Sequence, residues 1–63
     1  MSVSRRDIIN YLLKNGFFFL REGGNHTIYT DGKGNQIPLK RHKTFDRHTA
    51  NEICKEAGLP KAF

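Results

Sequence analysis

The sequence predicts an α+β fold with the element order α-β-β-β-α, in which a three-stranded antiparallel sheet carries both helices on one face. Apolar residues recur at helical spacing near both ends of the chain, and three short strand-like runs lie between these two stretches. Clusters of glycine, asparagine and aspartate separate the runs, as turns do. A chain of 63 residues has room for one domain, which we expect to span residues 1–63.

The first helix is predicted over residues 5–15. Ser4 followed three residues later by Asp7 resembles a capping box, and Gly16 is well placed to end the helix. Between them, four apolar residues recur at the spacing that puts them on one helix face: Ile8, Ile9, Leu12 and Leu13.

Three strands and two turns are predicted next. Pro38 cannot donate a ladder hydrogen bond, so the third strand should be an edge strand or end there. The predicted segments are, in chain order, a strand at 17–20, a turn at Gly23-Gly24-Asn25, a strand at 27–30, a turn at 31–35 and a strand at 36–39.

The aromatic residues of this region have two possible roles. Because side chains alternate along a strand, Phe17 and Phe19 share one face, and a chain with so few large apolar residues needs them in its core. Phe18 and Tyr29 stay open between a core position and a base-stacking surface.

A second helix closes the fold. Asp46 or Thr44 can cap its start, and Gly58 followed by Pro60 ends it. The apolar face of this helix consists of residues at helical spacing, Ala50, Ile53, Cys54 and Ala57. Because Cys54 lies on this face, it is predicted to be a small buried hydrophobic residue.

The charge balance favours an anionic partner. The chain has 11 Lys and Arg against 6 Asp and Glu, a net charge of +5, which suits nucleic acid or an acidic protein. No stretch pairs a lysine-rich face with a wide apolar face, so a membrane surface is a weaker option. One cysteine, no signal-peptide pattern and no apolar run near the ~20 residues of a membrane span predict a cytoplasmic protein.

A basic cluster, Lys40-Arg41-His42-Lys43, precedes the second helix, and Arg47 follows closely. Such side chains neutralise phosphates and release counterions, and a helix N-terminus adds its own attraction for anions. We interpret the cluster as an anion-binding site; the alternative is a solvated basic loop that keeps a small domain in solution.

His26 follows Gly24-Asn25, a turn that lets another backbone approach closely, and it begins a β-branched run that would fix its side chain. An imidazole titrates near pH 6.5 and suits a general acid or base. A strand-start histidine that bonds to the turn or faces solvent explains the same pattern, and spacing alone does not decide between the two.

No metal or cofactor site is predicted. The histidines and the cysteine lack zinc-site spacing, and no nucleophile elbow, phosphate loop or dinucleotide fingerprint is present.

Taken in order, these pieces resemble the HicA toxin family. The resemblance covers roughly residues 4 to 59. The matching pieces are Gly16-Phe17, Arg21, Gly24-Asn25-His26, Ile37-Pro38, His42-Lys43, and Ile53 through Ala57-Gly58-Leu59. Asn25 stands where the family usually has serine, and Arg47-His48-Thr49 stands where it tends to have Gly-Thr-Leu.

The resemblance implies a fold like that of a double-stranded-RNA-binding domain and a toxin that cleaves mRNA as an endoribonuclease without a metal. It assigns the catalytic role to His26 and implies an antitoxin of the HicB type that binds the toxin and covers this histidine. On this interpretation, the residues expected to bind RNA are Gly24, Asn25, Lys40, Arg41, His42, Lys43 and Arg47.

Two other functions fit the same sequence. A non-catalytic RNA-binding module would use the same basic loop, and a scaffold for an acidic protein would use the same charge. A small DNA-binding helix-turn-helix is disfavoured because three predicted strands separate the two helices.

Overall fold

The predicted order α-β-β-β-α is present in the computed structural model, which describes residues 2–63. It is augmented by one short strand before each helix. The elements are β1 (Ser2–Ser4), α1 (Arg5–Lys14), β2 (Phe18–Gly23), β3 (His26–Thr30), β4 (Gln36–Lys40), β5 (Thr44–Asp46) and α2 (Arg47–Glu56).

Both helices begin at a side-chain cap. The hydroxyl of Ser4 accepts a hydrogen bond of 3.1 Å from the backbone N–H of Asp7, and the carboxylate of Asp46 accepts one of 2.6 Å from that of Thr49. Each bond satisfies a donor of the first helical turn that has no partner within the helix. Hydrogen bonds from Thr49 are the main cause that lowers the pKa of Asp46.

Both helices end at a glycine with positive φ, Gly16 at +89° and Gly58 at +74°. After Gly16, the N–H of Phe17 returns to the carbonyl of Leu12 at 2.9 Å, the long bond of a Schellman motif. The sequence therefore specifies where each helix stops.

The strands β2, β3 and β4 form one antiparallel sheet in that order, so Pro38 lies in an edge strand, as predicted. A two-residue turn, Gly24-Asn25, joins β2 to β3, with φ +60° at Gly24. The three-residue turn expected from the sequence is wrong, since Gly23 belongs to β2 and pairs with His26. The first predicted strand was expected to end at Leu20, but β2 continues to Gly23. At Leu20 the pairing of β2 with β3 shifts by one residue and then continues.

The core lies between the two helices and one face of this sheet. Tyr29, Ile37 and Leu39 cover that face, and Cys54 is buried as predicted. The helical residues that pack against them are Ile8, Leu12, Ala50, Ile53 and Ala57.

The three consecutive phenylalanines at 17–19 separate into one core residue and two exposed ones. Phe17 is buried as predicted, beside the end of α1. The core position predicted for Phe19 is wrong: its side chain is 52% exposed, because β2 is an edge strand. Its ring makes a T-shaped contact with that of Tyr29, with centroids 6.3 Å apart. Phe18 is 49% exposed, whereas Tyr29 is buried.

A second, two-stranded ladder pairs β1 with β5 antiparallel, with Val3 opposite Phe45. Neither strand was predicted, because three residues are too few to show alternation. The three residues of β5 lie between the basic cluster and the first residue of α2. Among residues 2–63, no helix is both long and apolar enough to cross a membrane.

Candidate nucleic-acid interface and active site

His26 is the first residue of β3, fixed in place by the strands on either side. Its backbone pairs with Gly23 of β2 and Lys40 of β4, and its side chain is partly buried. Directly opposed residues of an antiparallel sheet project from the same face. The tight turn before it and the two neighbouring strands therefore hold the imidazole beside the Lys40 side chain.

A cleft of about 400 Å³ opens next to this histidine. The cleft joins the Gly24-Asn25 turn to the basic cluster, although about 15 residues of chain separate them in sequence. Five residues line it, all of them predicted site residues: Asn25, His26, Lys40, Arg41 and His42.

Three predicted binding residues lie outside this lining. Lys43 borders a neighbouring depression that it shares with Arg5 and Arg6, while Arg47 borders another beside Val3. Gly24 shapes the turn without lining the cleft. The structure thus concentrates the predicted site on the strand ends and the first three residues of the basic cluster.

The basic loop, residues 40–43, is attached to the start of α1 by one residue that the sequence reasoning missed. The backbone N–H of Arg5 donates to the carbonyl of Lys43 at 2.8 Å. Its side chain donates to the carbonyl of Lys40 at 3.3 Å and to the hydroxyl of Thr27 at 2.9 Å. Arg5 therefore holds both ends of the loop.

Glu22, a second missed residue, joins this network from β2. Its carboxylate accepts hydrogen bonds from the Arg41 guanidinium and from the Thr27 hydroxyl. The bond from Arg41 is the largest cause that lowers the pKa of Glu22, with smaller help from Thr27 and the charge of Arg5. Glu22 consequently stays ionised at neutral pH and neutralises part of the positive charge on one side of the cleft.

No local pattern identifies Arg5, Thr27 or Glu22 as site residues. Their partners lie 5 to 38 positions away in sequence, and each residue is common on a protein surface. The one available signal is that Arg5 follows the capping Ser4, which places it at a helix start.

The other two histidines have different surroundings. The ring of His42 stacks on Phe45 with centroids 5.9 Å apart and 25° between the planes, and it lines the cleft. His48 is exposed in the first turn of α2 and lies outside the cleft lining. The structure therefore gives His26 one imidazole neighbour in the same cleft, His42.

The cleft combines two imidazoles with two cationic side chains, a set that can bind a phosphodiester and move protons at it. Within residues 2–63, no group of three His, Cys, Asp or Glu side chains has an arrangement that could hold a metal ion.

Comparison with known protein families gave one match. The sequence model of the family described as "HicA toxin of bacterial toxin-antitoxin" matches residues 5–59, which covers most of the chain and includes every residue of the cleft. Comparisons with curated proteins and with solved structures gave no match.

Proposed function

Because the chain belongs to the HicA toxin family, we propose that it is an endoribonuclease that cleaves mRNA without a metal and uses His26 as its catalytic residue. A toxin of a toxin–antitoxin system implies an antitoxin partner and an RNA target. We further propose that the antitoxin is of the HicB type and that it stops cleavage by covering the cleft.

The observation that carries the proposal is the position of His26 in a cationic cleft. RNA cleavage requires a proton acceptor for the attacking oxygen, a proton donor for the leaving oxygen and positive charge near the phosphate. The imidazole of His26 can perform one proton transfer. Lys40 is directly opposite His26 on the neighbouring strand β4, and it can stabilise the charge that develops on the phosphate oxygens.

The size of the expected rate suits a toxin. One positioned acid or base contributes about 10²–10⁴-fold, so a site built around one or two histidines is a slow nuclease. A toxin acts by damaging long messages, each of which is inactivated by a single cut, so slow turnover is sufficient for this role.

The test is to incubate the purified chain with a long single-stranded RNA, with and without EDTA, beside a His26→Ala variant. We expect cleavage that survives EDTA and falls about 10²–10⁴-fold in the variant. Urea unfolding of both proteins should give similar midpoints, because His26 is only partly buried. RNA that is retained but left intact by the unaltered chain would support a binding module instead, and cleavage lost with EDTA would overturn the metal-independent mechanism.

A further inference from the structure

The face of the sheet that points away from the helices has an outward set of side chains that the core does not use. Because Tyr29, Ile37 and Leu39 point toward the helices, the residues alternating with them along β3 and β4 point outward. The strand register adds the matching positions of β2 to this face. We call it the outer sheet face; its principal members are Phe18, Arg21, His26, Ile28, Thr30 and Lys40, of which Ile28 and Thr30 are themselves buried.

Phe18 is exposed on this face although it is a large apolar residue. Its side chain is 49% exposed, and its ring lies against the backbone of Gly32, 3.5 Å from where a Cβ would stand. The end of the ring therefore lies near this turn, while about half of the side chain is open to solvent. An exposed aromatic ring is what an unpaired base stacks on.

Arg21 lies between Phe18 and the cleft. Its guanidinium passes over Gly23, 3.3 Å from where a Cβ would stand, and the side chain of Ile28 is equally close to that point. Gly23 in turn pairs with His26. A side chain at Gly23 would crowd the arginine, so the glycine lets this cation lie flat on the face next to the catalytic histidine.

The spacing fits a short piece of RNA. Phe18 is opposite Thr30, four residues along β3 from His26, which is about 14 Å at the rise of an antiparallel strand. A stacked strand advances about 3.4 Å per nucleotide, so at most about four nucleotides span this distance.

The positive charge of the outer sheet face favours single-stranded RNA as its partner. No Asp or Glu occupies an outward position of β2, β3 or β4, whereas Arg21 and Lys40 both do. Two cations and an aromatic ring in line with the cleft complement alternating phosphates and bases. A duplex keeps its base faces stacked inside, so it cannot use the ring.

We propose that the outer sheet face binds single-stranded RNA, with an unpaired base stacked on Phe18 at most about four nucleotides from the phosphate cleaved at His26. Arg21 contacts the phosphates between the two points, and Lys40 contacts the phosphate next to His26. This subsite rests on the proposed function, since it takes the cleft as the place of cleavage.

The test compares Phe18→Ala with Phe19→Ala in a His26→Ala background, so that the RNA stays intact. The two phenylalanines are adjacent, on the same edge strand and equally exposed, but Phe19 points to the opposite face. In binding titrations with a short single-stranded RNA, we expect Phe18→Ala to weaken affinity about 5- to 150-fold. Phe19→Ala should leave affinity unchanged, and Phe18→Tyr should retain it.

Removal of single bases gives an independent measurement. We expect that an abasic nucleotide at one position, within four nucleotides of the cleavage site, weakens RNA binding by the protein that keeps Phe18. The same abasic RNA should bind the Phe18→Ala variant as tightly as the complete RNA does. Equal affinity of both phenylalanine variants, or equally tight binding of a duplex of the same sequence, would overturn the subsite. Cleavage assays on the same variants with His26 restored distinguish failure of the subsite from failure of the proposed function. If the Phe18→Ala variant cuts RNA normally, the subsite fails but the proposed nuclease function stands.

Discussion

His42 differs from His48 in what its ring contacts. The His42 ring lies on Phe45 and faces the cleft that holds His26, whereas His48 is exposed at the start of α2. Phosphodiester cleavage needs two proton transfers, and His42 is the second imidazole placed where the phosphate would lie.

We therefore predict that His42→Ala slows RNA cleavage by about 10²–10⁴-fold, the usual contribution of a positioned acid or base. His48→Ala, the matched control, should cleave at the unaltered rate. Single-turnover cleavage measured across pH is the check, because loss of a proton-transfer group removes one limb of a bell-shaped profile. A His42→Ala enzyme that is slow by the same factor at every pH would contradict the proton-transfer role.

The residues of the cleft could be predicted where a short stretch of sequence around them indicates their role. A histidine after a glycine turn and a run of basic residues are visible in the sequence, and the structure brings His26, Lys40 and His42 to one place. Arg5 and Glu22 were not predictable, because their roles come from hydrogen bonds between distant segments.

Among the elements, α1 has a function besides packing, since its first residue holds the basic loop. Arg5 reaches the carbonyls at both ends of residues 40–43, one through its side chain and one through its backbone. The backbone donor remains in every substitution except proline, whereas alanine at this position removes the bonds to Lys40 and Thr27.

We predict that Arg5→Ala loosens the loop and lowers the free energy of unfolding by about 1–2 kcal/mol, as expected for hydrogen bonds from a charged donor. Amide hydrogen exchange of residues 41–43 should quicken, and RNA cleavage should slow. Arg6→Ala removes the same charge from the neighbouring, exposed position and should change neither exchange nor cleavage. If both variants behave alike, the loop is not held by Arg5.

The long elements were predictable because their signals are repeated. Each helix has an apolar face, a side-chain cap and a terminal glycine, and all three agree with one another. The short strands β1 and β5 give no such repetition. Periodicity also could not predict burial on the edge strand, since Phe19 alternates correctly but lies in edge strand β2 and is half exposed.

Across the whole molecule, the net charge of +5 is spread unevenly with respect to the cleft. Lys40 and Arg41 line it, and Glu22 offsets part of the Arg41 charge. Lys55 lies exposed in the last turn of α2, on the helical side of the sheet. These positions predict that equal losses of charge have unequal effects on RNA binding.

We predict that Lys40→Ala reduces the slope of log affinity against log salt concentration by about 0.7, the value for one phosphate contact on a single strand. Lys55→Ala should leave the slope unchanged, although it lowers the net charge equally. Binding titrations of single-stranded RNA at several salt concentrations, in the His26→Ala background, measure both. Equal changes in the two variants would mean that overall charge, rather than the cleft, attracts RNA.

The pairing of β1 with β5 has a consequence for protein synthesis. Ser2–Ser4 is made early, but its partner Thr44–Asp46 is made only after residues 5–43 have been translated. The same holds for Arg5, whose bonds to the basic loop join residues 35 or more positions apart. A growing chain on the ribosome therefore lacks the assembled cleft until residues 40–46 have been translated, so shorter nascent chains of this toxin do not have the site.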